Sequence, residues 1–268
     1  MDEKIANRLP VVYRPSLLEE VEAKKGVDKI KFVLENTMTG YLIVFFMIMF
    51  FFQFILYQIF IGPIIVDGSE TTEVAELWAS IFTVQPGYEW YVWTYVTSMF
   101  SHGGYIHLLI NSIVLFSFGL VAENDMGKKR FILFFFVMGL ISSIGQLLAI
   151  NIADLGLLQM YTTSQDFMFL GASGAISGII GFVVIKDPNL KTKIIFFPFF
   201  DFKLFTGIIV FILTSIFLVI YFGVGAFQIA HTAHLMGLIA GMVYGVKEYS
   251  MKGIKLYFYS HIERASKL

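Results

Sequence analysis

Ser173 stands in the run Gly171-Ala172-Ser173-Gly174 and His234 in Ala233-His234, each inside a long apolar stretch of the chain. A polar group that has no water to pair with is expensive, so in such surroundings it is a functional candidate by default. A serine hydroxyl is a weak nucleophile unless a neighbouring base takes its proton, and a neutral imidazole suits that task. The oxyanion formed on attack needs donors already in place. His107 and Asn111 lie one helical turn apart and can aim two side-chain N–H groups at one point. No Asp or Glu falls near the expected level of these residues, so the pattern predicts a Ser173–His234 dyad without an acid. His102 and His231 are the other histidines close by, and structural or hydration roles are expected for them. Taken singly, each motif has a plainer use: Gly-x-Ser-Gly suits a helix contact, and Asn111 an interhelical hydrogen bond. Their conjunction favours acyl transfer.

The elements that would hold these residues follow from hydropathy. A membrane-crossing helix needs about 20 mostly apolar residues. Uncharged runs of that kind fall at 41–62, 104–122, 131–152 and 167–185, and the stretch 204–246 is long enough for two spans joined at Gly223-Val224-Gly225. The expected fold is all-α, a polytopic membrane bundle of six transmembrane helices. Lys and Arg concentrate in cytoplasmic loops of membrane proteins. All nineteen fall before the first run, between the second and third, between the fourth and fifth, or after the sixth. The alternate connections, 67–102, 153–166 and 223–227, carry none. Both termini are therefore expected in the cytoplasm, and the second, fourth and sixth helices run inward from the outer face. His107, Ser173 and His234 would then share a depth of about 5–10 Å below that face. Gly237, Gly241 and Gly245 repeat every fourth residue, and Gly171, Gly174, Ala175 and Gly178 crowd the fourth helix, so close packing of these two helices is expected to bring Ser173 and His234 together.

The composition agrees with a bilayer as solvent: 57% of the residues are apolar, 17% aromatic and only 15% charged. A net charge of −1 without dense basic blocks gives no case for nucleic acid as a partner. The absence of cysteine excludes disulfides, thiolate metal sites and a cysteine nucleophile. The charged N-terminus carries no cleavable signal peptide pattern, so the first internal span is expected to direct insertion. Three segments result: a cytosolic lead-in over 1–40, partly helical across 17–34, a membrane core over 41–246 and a cytosolic tail over 247–268. Trp78, Tyr88, Trp90, Tyr91, Trp93 and Tyr95 crowd the longest external connection, which is expected to lie half sunk at the outer interface.

Over the membrane core the sequence is similar to the rhomboid intramembrane serine proteases. The resemblance rests on His102 with His107 and Asn111, on Gly119, Glu123, Gly127 and Arg130, on Gly171-Ala172-Ser173-Gly174, and on Ala233-His234 with Gly237 and Gly241. It implies Ser173 as nucleophile, His234 as base, and His107 and Asn111 beside the serine's own N–H in the oxyanion hole. It further implies transmembrane proteins as substrates, cut near the outer end of a helix that can unwind, with no cofactor or metal. Two positions depart from many members: Thr94 follows Trp93 where an arginine is common, and Ser177 stands four residues after the nucleophile, where many place an aromatic ring against the histidine. A metalloprotease is disfavoured by the lack of His-Glu-x-x-His, and a transporter by the lack of intramembrane charge and repeated halves. The remaining rival is an inactive relative that binds or escorts transmembrane clients.

Overall fold

The computed structural model describes residues 16–60, 72–154, 168–194, 197–222 and 230–265. The expected joint at 223–225 and most of the connection 153–166 lie outside the described residues. Two short helices, α1 (Leu17–Glu22) and α2 (Gly26–Asn36), precede α3 (Met38–Phe60). After α4 (Thr72–Phe82) and the single turn α5 (Thr94–Thr97) comes a 3₁₀ turn, Ser98–Phe100. The second apolar run forms α6 (Tyr105–Val114), a π-helical turn Leu115–Gly119 and α7 (Leu120–Met126), and the third forms α8 (Lys128–Asp154). Then follow α9 (Ser173–Lys186), an antiparallel hairpin of β1 (Lys191–Ile194) and β2 (Phe197–Lys203), α10 (Leu204–Phe222) and α11 (His231–Ala265). Four segments are long and apolar enough to cross a bilayer: Met38–Leu56, Tyr105–Met126, Lys128–Ile152 and Leu204–Phe222. They make this an integral membrane protein with a helical bundle. α9 is shorter than those spans, and the first turn of α11 carries two histidines among the apolar residues.

Several boundaries differ from the expectation. The fourth helix, expected over 167–185, starts only at Ser173. Phe169 instead bridges Val84 through two backbone hydrogen bonds of 3.0 Å, and Gly171 takes φ +119°, a conformation that ends any helical path upstream. The sixth helix does not stop at Val246 but continues to Ala265. The connection between the fourth and fifth helices contains the hairpin, and the lead-in is docked to the bundle. Val21 and Val33 are buried with Leu120 of α7, and Asn124 Oδ1 accepts from the Leu18 N–H at 3.3 Å.

The core is aromatic and aliphatic, with Phe46, Phe131, Phe135, Phe182, Leu115 and Ile179 fully buried between α3, α7, α8, α9 and α11. Its outward faces are apolar as well: Ile48, Leu133, Leu148, Leu213 and Val243 are exposed, as a lipid-facing surface requires. α9 and α11 form the tightest pair. A Cβ on Gly237 would overlap the Gly174 carbonyl oxygen, one on Gly241 the Gly178 carbonyl oxygen, and one on Gly181 the Leu238 carbonyl oxygen. Glycine is the residue that permits this backbone-to-backbone approach.

The start of α3 shows how the bundle satisfies its buried polar groups. The first N–H groups of any helix lack intrahelical acceptors. Here Glu123, 1% exposed, accepts from the Met38 and Thr39 N–H groups and from the Thr39 hydroxyl, each at 2.8 Å, while Thr37 Oγ1 accepts from the Gly40 N–H at 2.8 Å. Replacing Glu123 by Ala would leave three donors, two of them buried, without this acceptor. At about 1–3 kcal/mol for each buried group, the loss should total at least about 2 kcal/mol. Thermal unfolding in detergent should show a clear fall in Tm for Glu123→Ala and a smaller one for Glu123→Gln, which keeps one acceptor oxygen. An unchanged Tm for the alanine variant would show that α3 is anchored some other way.

Candidate active site

Ser173 opens α9 and His234 lies in the first turn of α11, so the tight pairing of these helices carries the two side chains toward each other. His234 Nε2 stands 2.7 Å from Ser173 Oγ, a hydrogen-bond distance. Both residues are half-buried. Ser142 of α8 wedges beneath them: a Cβ on Gly174 would come to 2.6 Å from its Cβ, and one on Gly237 to 2.5 Å from its Oγ. Gln146, one turn further along α8 and fully buried, accepts from the Ala233 N–H at 2.9 Å through Oε1. That bond satisfies an orphan donor at the start of α11 and fixes the backbone beside His234.

The segment leading into Ser173 is held from the other side. Gly171 donates its N–H to the Ser98 carbonyl at 2.8 Å, and Ser98 belongs to the 3₁₀ turn that follows α5. α5 is tied to α4 in turn, since Trp93 Nε1 donates to the Ser80 carbonyl at 2.8 Å and the Thr97 hydroxyl donates to the Ile81 carbonyl. Thr94 is buried and donates its hydroxyl to the Tyr91 carbonyl at 2.7 Å, so a short polar side chain closes that turn internally. Only glycine suits position 171. Its φ is strained for any other residue, and a Cβ there would lie 2.7 Å from the His107 ring.

That same clash shows that the imidazole of His107 lies against the backbone that leads into the serine. The Gly103 N–H donates to His107 Nδ1 over a long 3.4 Å, which makes Nδ1 the acceptor and leaves Nε2 to carry the proton. In the structure Nε2 is on the Gly171 side of the ring, 2.8 Å from where that Cβ would be. Asn111 is 4% exposed, and its Nδ2 has no hydrogen-bond partner, although α6 packs on α9. An unmet buried amide donor is costly unless something else takes it up. The Ser173 N–H is one of the first in α9 and so lacks an intrahelical acceptor. The structure thus sets the His107 ring against the backbone that leads into Ser173, and Asn111 on the helix that packs on α9. His102 packs edge-on to His107 at 5.2 Å between centroids and against Phe46 at 5.1 Å, and His231 is buried at the first position of α11.

The far end of the pair is pinned by polar contacts. Arg130 bonds Glu248 at 2.8 Å and the Tyr244 hydroxyl at 2.9 Å, Lys186 pairs with Asp125 at 3.3 Å, and the Tyr249 hydroxyl donates to Asp125 at 3.1 Å. Burial, then the Asp125 carboxylate, pushes the Tyr249 hydroxyl up from its ordinary value, which keeps it a donor. Gln146 and Ser142 were missed in the sequence, although both are polar residues inside an apolar run and one turn apart.

The Rhomboid domain family model matches residues 89–250, more than half of the chain. The rhomboid-named protein YdcA of Bacillus subtilis (strain 168) is 36% identical over 93 residues, which cover 35% of this chain and 39% of YdcA. Rhomboid protease GlpG of Haemophilus influenzae is 27% identical over 156 residues, 58% of this chain and 68% of GlpG. The mitochondrial presenilin-associated rhomboid-like protein of Homo sapiens is 32% identical over 105 residues, 39% of this chain but only 25% of that protein.

Proposed function

This chain belongs to the rhomboid family, and from that membership we propose that it is an intramembrane serine endopeptidase cutting membrane-anchored proteins near the outer end of a transmembrane helix. The 2.7 Å contact between Ser173 Oγ and His234 Nε2 is the observation that carries this reading. Ser173 attacks the scissile carbonyl as His234 takes its proton, and the bond from oxygen to carbon forms as the carbonyl electron pair moves to oxygen. The Ser173 N–H, His107 Nε2–H and Asn111 Nδ2–H hold that oxyanion. His234 then gives the proton to the departing amine, and an acyl group remains on Ser173. Water, deprotonated by the same imidazole, releases it.

The six spans of this proposal are α3, α6 with α7, α8, α9, α10 and α11. α9, with 14 residues, is about 21 Å long. Its missing outer turns are replaced by the irregular segment 168–172, and non-helical backbone is tolerated at membrane depth where protein or a wet cavity receives it. The basic connections support cytoplasmic termini and a site that opens toward the outside. Substrates are transmembrane segments weakened by Gly or Pro, whose peptide bonds are more readily exposed. Reconstitution with such a substrate, together with a fluorophosphonate probe, tests the assignment. The folded chain should cleave and form a covalent adduct at Ser173. A folded chain that does neither would be a family member that only binds its clients.

The donors predict a graded result. Asn111→Ala should lower kcat by about 10²–10³-fold, as loss of one oxyanion donor does in serine enzymes, with KM comparatively unchanged. Probe labelling should be slowed but not lost, since other donors remain. Normal turnover per titrated site would remove Asn111 from the mechanism.

A further inference from the structure

We infer that Phe211 of α10 is a positioning residue for His234, its ring being the surface that keeps the imidazole turned toward Ser173. This rests on the base role proposed for His234. An imidazole acting as a base needs its orientation fixed, usually by an acceptor on the second ring nitrogen. Among the described residues, the His234 side chain makes no hydrogen bond except the one to Ser173. Its orientation must then come from packing. Ser177, one turn beyond Ser173 on α9, is small and offers no ring. The ring is supplied from a different helix: Phe211 lies 6.2 Å from His234 between centroids, with the planes tilted by 37°, within the range of aromatic contact.

The placement of Phe211 along α10 supports a directed contact. Leu204, Ile208 and Ser215 are the buried residues of this helix, at 4%, 5% and 2% exposure. Phe211 is three residues after Ile208 and four before Ser215, so it belongs to the same bundle-facing stripe. Yet it remains 36% exposed, while the neighbours above and below it on the stripe are closed off. Its partner on that stripe is the half-buried site itself. The opposite face of α10, with Val210, Leu213 and Phe217, is open to the surroundings. Through the Phe211 ring, α10 reaches the proposed chemistry.

Phe211→Ala should lower kcat by about 10–100-fold, the scale of a misplacement of about 1 Å at a reacting group, with KM little changed. The same variant should slow fluorophosphonate labelling of Ser173 by a similar factor. That probe has no transmembrane helix, so contacts between α10 and a substrate cannot account for the change. Phe211→Tyr, which retains the ring, should return both rates to within about threefold of the unsubstituted chain, and all rates are referred to the folded fraction from thermal unfolding. If Phe211→Ala raises KM for a transmembrane substrate but labels at the normal rate, the residue contacts substrate and the inference is overturned. Failure of Phe211→Tyr to restore a lowered rate would overturn it as well. A wild-type chain that neither labels nor cleaves would remove the Ser173–His234 chemistry and this inference with it, whereas normal labelling by both wild type and Phe211→Ala overturns the inference alone.

Discussion

Ser173→Ala and His234→Ala each abolish cleavage of a reconstituted transmembrane substrate, with kcat expected to fall by about 10⁴–10⁶-fold, while the protein still inserts and folds. Loss of a nucleophile or its base in serine enzymes has effects of this size, because the two act as one unit and removing either costs nearly as much as removing both. The double substitution should accordingly be little worse than the single ones. Neither side chain is part of the packed core: both are half-buried, and the helices beneath them are joined through Gly174, Ser142 and Gly237. Thermal unfolding of the purified variants should stay near that of the parent, which separates chemistry from stability. Cleavage by either folded single variant at a tenth of the parent rate or better would rule out the dyad. His231→Ala provides the comparison within the same helix turn, and its effect on turnover should be far smaller.

The second large effect concerns the α9–α11 seam. Gly237→Leu and Gly241→Leu should each lower stability by about 1–3 kcal/mol or more and depress cleavage by at least about 10²-fold. The reason is backbone contact. At both positions the first added carbon meets a carbonyl oxygen of α9, which cannot turn aside as a side chain can. The helices must part, and the parting acts on the 2.7 Å contact three residues from Gly237. Gly245→Ala is the internal control, because a Cβ there would meet the Ile185 side chain at 3.0 Å, where a small adjustment suffices. Its effect should be mild. Unchanged melting and turnover for both leucine variants would mean that the seam is not what sets the distance between serine and histidine.

Much of this arrangement is legible in the chain because the bilayer magnifies polar signals. A serine, a histidine and an asparagine in apolar runs stand out, and glycines at four-residue spacing announce a close seam. Less legible is anything that depends on a partner far away in sequence. Glu123 is visible as a motif residue, but its hold on the Met38 and Thr39 N–H groups spans more than eighty residues. The late start of α9 is hidden as well, since 167–185 is uncharged throughout, and it is the Gly171 backbone and the Val84–Phe169 bridge that break it. Phe211 is one of thirty phenylalanines, and nothing in its neighbours distinguishes it. The pairing of β1 with β2 gives way to the same limit: strand pairing is decided by a partner, and the residues of both strands read equally well as a connection.

The π-helical turn at Leu115–Gly119 divides the second span into two registers. Such a turn accommodates one residue more than an α-helix would, and one residue is about 100° of rotation. The N-terminal half carries His107 and Asn111, and the C-terminal half carries Glu123. Because the turn uncouples their phases, the face proposed to serve the oxyanion and the face that grips α3 need not lie on a common line along one cylinder. An unbroken α-helix over the same residues would turn one of these faces by about 100° against the other, so the turn at 115–119 is what sets their relative aim.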